Sequence, residues 1–259
     1  MLYFGATGFN LFEALYDYVL SETARHFPKK NNHYKPSRNM RKKKCKSILD
    51  KRLVMAALKK CFSSSKTKKR GDTFYLFKKY CGFTSKKELI DEINNKTVRY
   101  KNSLSTIADI LLNEIKTDTV NFPAAKYRMR KDHSNGKIRQ ISILHIKQLM
   151  YDHIAVMALE PALKSIGQFQ VSSIKGKGQS YARKHIHHWL FDKKLKYFVK
   201  LDIKKYFPSI DKRRLVRFIS GRINNQLLLR LIARLVISCT TGGIHIGFYL
   251  SQCLANYYI

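Results

Sequence analysis

Asp202 sits in the stretch Lys200-Leu201-Asp202-Ile203-Lys204-Lys205-Tyr206-Phe207-Pro208-Ser209-Ile210-Asp211. The apolar run Tyr197-Phe198-Val199 before it reads as a buried strand, and Pro208 marks the turn that ends it. A carboxylate at the end of a buried strand is costly unless it is paired or holds a cation. In a chain with 51 Lys+Arg against 17 Asp+Glu, that predicts a divalent metal and a polyphosphate. Asp211 is a different kind of acid. It precedes a basic helical pattern, which predicts an N-cap.

Other residues could meet phosphate. Residues 126–143 alternate around Asn135-Gly136, a hairpin signal. Arg128, Arg130 and Lys131 fall on one arm, Lys137 and Arg139 on the other. Such a hairpin can close over a triphosphate. Read locally, an ordinary solvated hairpin is the favoured alternative. Lys175-Gly176-Lys177-Gly178 offers backbone and ammonium groups but lacks P-loop spacing. His185, His187 and His188 stand at i, i+2 and i+3 of a helical pattern, so they cannot all face one metal. A surface patch or a template contact fits them better. The cysteines at 45, 61, 81, 239 and 253 form no C-x-x-C pair. They read as free buried thiols of a reducing cytosol rather than a zinc site.

The elements that must position these residues follow from the pattern. The 259 residues suffice for one large or two small domains, and 44% apolar content supports a core. The net charge of +34 repels itself and calls for a counter-charge, with a phosphate backbone preferred over an anionic membrane. Residues 1–28 read as an amphipathic helix carrying Leu11, Leu15 and Tyr18; Glu13 and Asp17 interrupt its apolar run and it lacks a basic leader, so neither a signal peptide nor a membrane span is indicated. Residues 29–52 and 63–70 are basic and flank an apolar segment at 53–62. Together they read as a solvated arm that orders on nucleic acid, or as a plain linker. Residues 73–116 return to helical periodicity, with a capping box at Ser85 and Glu88 and an apolar stripe of Leu104, Ile107, Ile110 and Leu111. Residues 146–163 and 180–191 read as helices.

Four of these segments occur in an order that resembles reverse transcriptases. Gly136-Lys137-Ile138-Arg139-Gln140-Ile141 resembles the early fingers motif of that family. Ser173-Ile174-Lys175-Gly176-Lys177-Gly178-Gln179 is similar to its second fingers block, and residues 200–211 to its first palm motif. Residues 242–258, from Gly242-Gly243-Ile244-His245-Ile246-Gly247 onward, resemble the next palm motif. Most of the family reads Gln-Gly-x-x-x-Ser-Pro there. Ile246-Gly247-Phe248-Tyr249-Leu250-Ser251-Gln252 looks instead like the enzymes of diversity-generating retroelements, found in bacteria and their phages, which copy a template RNA with frequent errors at adenine. Ile246 in place of Gln removes a hydrogen-bonding side chain beside the incoming nucleotide, and loosened discrimination follows.

The resemblance implies an α+β right-hand polymerase: a basic, mostly helical N-terminal extension over residues 1–104, then fingers and partial palm over 105–259. It implies that Asp202 ligates two catalytic Mg²⁺ ions, assisted by the carbonyl of Ile203. Phe207 falls at the gate that excludes a ribose 2′-hydroxyl, although a core aromatic is its reading outside the family. Backbone amides near Lys205 and Tyr206 would hold triphosphate oxygens, clamped by Arg139 and Lys131. Ile246 and Gly247 would face the nucleotide, where Gly247 admits close backbone approach. Ser251, Gln252, Lys175 and Lys177 would line the template and primer. The partners implied are template RNA, a DNA primer and its cDNA, dNTPs and a small accessory protein, in the cytoplasm of a bacterial or phage-infected cell. A basic accessory protein would need RNA to bridge it to so basic a chain.

Two departures stand out. His245 replaces a usual proline, and the sequence contains no Asp-Asp, so the Tyr-x-Asp-Asp motif with its carboxylates is absent, as is the thumb. The expectation is an incomplete enzyme, inactive by itself. The rival expectations are a non-catalytic nucleic-acid-binding remnant, and an abortive-infection or group II intron type of reverse transcriptase.

Overall fold

A computed structural model describes residues 44–131, 136, 138–164, 170–172, 174, 176–191, 197, 199–240 and 242–258. The expected N-terminal helix, the basic residues 29–43, Asn135, Lys137, Lys175 and Phe198 lie outside the described residues.

Helix α1 (Lys51–Ser63) is capped by Asp50, whose side chain accepts from the Arg52 amide. Its Leu53, Val54, Ala57, Leu58, Cys61 and Phe62 recur at helical spacing and are buried. The short α2 (Ser65–Lys68) leads to α3 (Gly71–Cys81), which stops where Gly82 turns left-handed. Helix α4 (Lys86–Asn95) opens on the expected capping box: the Glu88 amide donates to Ser85 Oγ at 3.1 Å, and the Ser85 amide to Glu88 Oε2 at 3.4 Å. Helix α5 (Val98–Lys116) buries Leu104, Ile107 and Leu111 of the expected stripe, with Ile110 at its edge. Strands β1 (Lys126–Lys131) and β2 (Ile138–Ile143) form the hairpin, paired antiparallel from Lys126↔Ile143 to Lys131↔Ile138.

Helix α6 (Ile146–Leu163) is apolar nearly all round, and such a helix belongs inside a core. It packs against α1 on one side, and against α10 (Gln226–Ile237) and α11 (Tyr249–Tyr258) on others. Between these come α7 (Gln179–Leu190), α8 (Tyr206–Ser209) and α9 (Lys212–Ser220). Asp211 caps α9 as expected, its carboxylate accepting from the Arg214 amide at 2.8 Å. The architecture is mixed and helix-rich, with one two-stranded sheet among the described residues. No helix among them is long and apolar enough to cross a membrane. All five cysteines are free thiols.

Two sequence expectations change, and one expected boundary falls within a helix. Residues 44–70 are not a solvated arm: a single buried cluster runs from Ile48 and α1 through α6 to Ala255. The flanking lysines masked an apolar face wide enough to seat α1 in the centre. The boundary at 104/105 falls inside α5, whose buried face joins the same cluster on both sides. Residues 199–203 form no strand, and Tyr197, Leu201 and Ile203 are 92%, 87% and 55% exposed. A buried strand needs a ladder to join. The sheet among the described residues is the β1–β2 pair, and residues 199–203 do not join it.

Candidate nucleotide and nucleic-acid site

The loop between α10 and α11 gathers the chemistry-bearing segments. Gly243 lies there with φ 72°, in left-handed backbone that favours glycine. A Cβ on it would stand 1.9 Å from the Phe207 carbonyl oxygen and 2.6 Å from Pro208 backbone atoms. The Ile244 amide donates to that same Phe207 oxygen at 3.1 Å. The Tyr206 hydroxyl donates to the Ala255 carbonyl at 2.9 Å. The segment of Asp202 and the segment of Ile246 are thus sewn together along α8. Phe207 is half-buried and packs edge-on to Tyr206, with ring centroids 5.7 Å apart.

The other side of the loop carries the hairpin. Buried His245 shares a hydrogen bond between Nδ1 and Ser142 Oγ at 2.9 Å, and Phe248 meets its ring edge-on at 4.8 Å. The hydroxyls of Tyr127 and Thr240 lie 2.8 Å apart. Burial, with Lys212 adding to it, holds His245 down to about 4, so it is neutral at pH 7. This histidine therefore fastens the loop to β2. A Cβ on Gly247 would reach Ile141 Cγ2 at 3.4 Å, so the exposed Gly247 backbone lies against the hairpin.

Strand register decides which basic residues share a face. Arg130 lies directly opposite Arg139. Alternation adds Arg128 to that face and puts Lys131 on the other, with Tyr127. Lys131 and Arg139 therefore lie on opposite faces of the hairpin, and it is Arg130, on the same arm as Lys131, that shares a face with Arg139. Like charges directly opposite repel, and an anion between them reverses the sign. Counting back from the turn by twos would have found the pair.

A residue that the sequence reading missed supports the loop from below. Asp152, in the middle of α6, is buried, and its two oxygens accept from the Leu250 amide at 3.3 and 3.2 Å. Burial raises its carboxyl to about 7, against the lowering effect of the Leu250 and Tyr249 amides. It caps α11 from another helix and fixes where Ser251 and Gln252 stand. Ser251 is itself buried beside Asp152. It lies beneath the loop, whereas Gln252 is half-exposed. The visible signal was an acid inside an apolar helix.

The remaining expected site residues lie apart or in the open. Asp202 is exposed, with the exposed Leu201 and Ile203 on either side. Lys205 adopts φ 52° and its carbonyl accepts from the Ser209 amide at 3.0 Å, so it turns the chain into α8. The Lys177 amide donates to the Ile174 carbonyl at 3.0 Å across a tight turn that holds Gly176 at φ 80°. That turn is tied to α11: Gln170 donates to the Asn256 carbonyl at 2.9 Å, and Asn256 donates to Ser172 at 2.6 Å. The three histidines ride on α7, where His185 sits 4.4 Å from the Tyr181 ring. Among the described residues no three His, Cys, Asp or Glu side chains gather in a way that could hold a metal. Asp202 offers one carboxylate, and a pair of Mg²⁺ ions needs more ligands than that. No protein-family model matches the sequence, and no curated protein matches it.

Proposed function

We propose that this chain forms the fingers and part of the palm of an RNA-directed DNA polymerase of the error-prone retroelement type. The observation that carries the reading is the seam at Gly243. It joins the segment of Asp202 and Phe207 to that of Ile246 and Gly247, at the foot of a hairpin bearing Arg130 and Arg139. In this reading the arginine pair receives the triphosphate of a dNTP. Gly247 lets the backbone approach the base pair, and Phe207 stands against the ribose. Template RNA and DNA primer neutralise the chain's positive charge. Asp202 is the metal-facing carboxylate, and its oxygens suit Mg²⁺. By itself it does not hold two ions, and among the described residues no further metal-ligating side chains gather with it.

Primer extension on an RNA template with DNA primer, dNTPs and Mg²⁺ tests the reading. The 259-residue chain alone is expected to bind primer–template without extending it. Fused in frame to a palm segment bearing Tyr-x-Asp-Asp, it is expected to extend the primer. Asp202→Ala should abolish that extension, and Phe207→Ala should admit ribonucleotides. Extension that survives Asp202→Ala would overturn the assignment. A completed chain that binds but never extends would favour the second reading, a non-catalytic nucleic-acid-binding protein, which the exposed and isolated position of Asp202 supports.

A further inference from the structure

A cleft of about 380 Å³ lies beside the foot of the hairpin, away from the residues assigned above. Its walls include Tyr75, Lys79 and Tyr80 of α3, Asn121 and Phe122 of the α5–β1 connection, and His145. Tyr75 is 68% exposed and Tyr80 is also exposed. Phe122 is backed by the buried Tyr151 ring, 6.3 Å away, so that wall is firm.

The charges in the cleft are unequal in what they can do. Lys147 is already paired with Glu114 at 2.7 Å, and Asp72 with Arg70 at 2.5 Å. Asp72 also accepts from the Ile146 amide at 2.9 Å and so caps α6. These residues are structural. Lys79 makes no ion pair among the described residues, and its ammonium stands 5.1 Å from the centre of the Tyr80 ring. Asn121 presents an amide with both a donor and an acceptor.

We propose that this cleft binds one unpaired base of a single-stranded nucleic acid, stacked on Tyr75 and Tyr80, with Lys79 on the adjoining phosphate. Exposed aromatics beside a lysine are the chemistry of single-strand binding, where each base offers a π-face and each linkage a charge. A duplex hides its base faces in its own stack and cannot enter. The chain's net charge of +34 supplies the long-range attraction. This inference does not rest on polymerase activity, since it needs neither Asp202 nor dNTP.

Fluorescence anisotropy with a labelled 12-nucleotide single-stranded RNA, without metal or dNTP, tests it on the whole chain. Replacing both tyrosines with alanine should weaken binding about tenfold or more, while the slope of log affinity against log salt stays unchanged. Lys79→Ala should instead make that slope shallower by about one unit or slightly less. The double phenylalanine variant should bind like the original. A duplex of the same sequence should change less than about twofold with either tyrosine set, because its bases stay stacked. Tyr75→Ala alone, at a largely exposed position, repeats the test with minimal risk to folding. Unchanged single-strand affinity in the alanine variants, or an equal loss for duplex, overturns the proposal. The assay contains neither metal nor dNTP, so failure of the polymerase reading and failure of this one are separable.

Discussion

At the scale of single residues, Gly243 and Asp152 carry the most consequence. Any side chain at Gly243 must displace the Phe207–Pro208 backbone, and a left-handed non-glycine residue adds a cost of about 1–3 kcal/mol. Gly243→Ala should lower the melting temperature by several degrees or more, and it should loosen Tyr206 and Phe207 before it touches α1. Thermal melting and hydrogen exchange of the Ile244 amide check this. Asp152 makes a pH prediction. Its carboxyl is raised from 3.8 to about 7 by burial, so the folded state holds a proton that the unfolded chain has released. Its contribution is full below about 4 and is lost as pH rises through about 7. His245 and His153 act oppositely. Burial holds each near 4, so their neutral forms favour folding as pH rises from 4 to 6.5. In the original protein these trends offset. Asp152→Asn keeps an acceptor for Leu250 and removes one trend. It should match the original near pH 4 and exceed its stability at pH 7 to 8, as read from denaturant midpoints. Equal stability at both ends would mean that Asp152 titrates as a solvated acid.

At the scale of elements, the hairpin shows how strand register turns composition into a site. Arg130 and Arg139 stand opposite each other, while Lys131 faces the Tyr127 side. Titration with a fluorescent dATP analogue should separate them. Arg130→Gln and Arg139→Gln are each expected to weaken binding about tenfold, the scale of a lost charge-assisted hydrogen bond. Lys131→Gln should change it little. Without ligand, Arg130→Gln should leave stability unchanged or slightly raised, because a repulsive cross-strand pair is gone. Equal effects of all three substitutions would point to general charge rather than to a face. The hairpin's docking through Ser142–His245 and Tyr127–Thr240 is what gives that face a fixed position relative to the loop.

For the whole molecule, one core joins residues on both sides of position 104. Helix α1 packs on α5 and α6, and its buried residues belong to the same cluster as Leu250 and Leu254. A fragment of residues 105–259 would expose that interface and lack the first turns of α5. It is expected to be unfolded or molten by near-ultraviolet circular dichroism, and a native spectrum from it would show two independent units. Charge acts at the same scale. With 51 basic residues against 17 acidic ones, RNA binding should fall steeply with salt. If 6–10 phosphates are contacted, affinity should drop about 10³–10⁵-fold between 50 and 200 mM salt. A flat salt dependence would argue that the charge serves something other than a phosphate backbone.

The sequence by itself determined what a few neighbouring residues decide. The capping box of Ser85 and Glu88, the N-cap at Asp211, the hairpin around Gly136 and the bounds of α6 all rest on short-range hydrogen bonds and on hydrophobic period. Both are written within a turn or two of the chain. The tertiary structure decided everything that depends on who covers whom. Residues 197–199 look like a buried strand leading to Asp202, but residues 199–203 join no ladder among the described residues. Residues 53–62 look like an interruption in a basic arm but lie at the centre of the core. Asp152 looks incidental and proves to hold the loop of Ile246 and Gly247. Burial and backbone closure are long-range properties: they arise when Gly243 meets Phe207 and when α6 meets α11, and no spacing within one segment encodes those meetings.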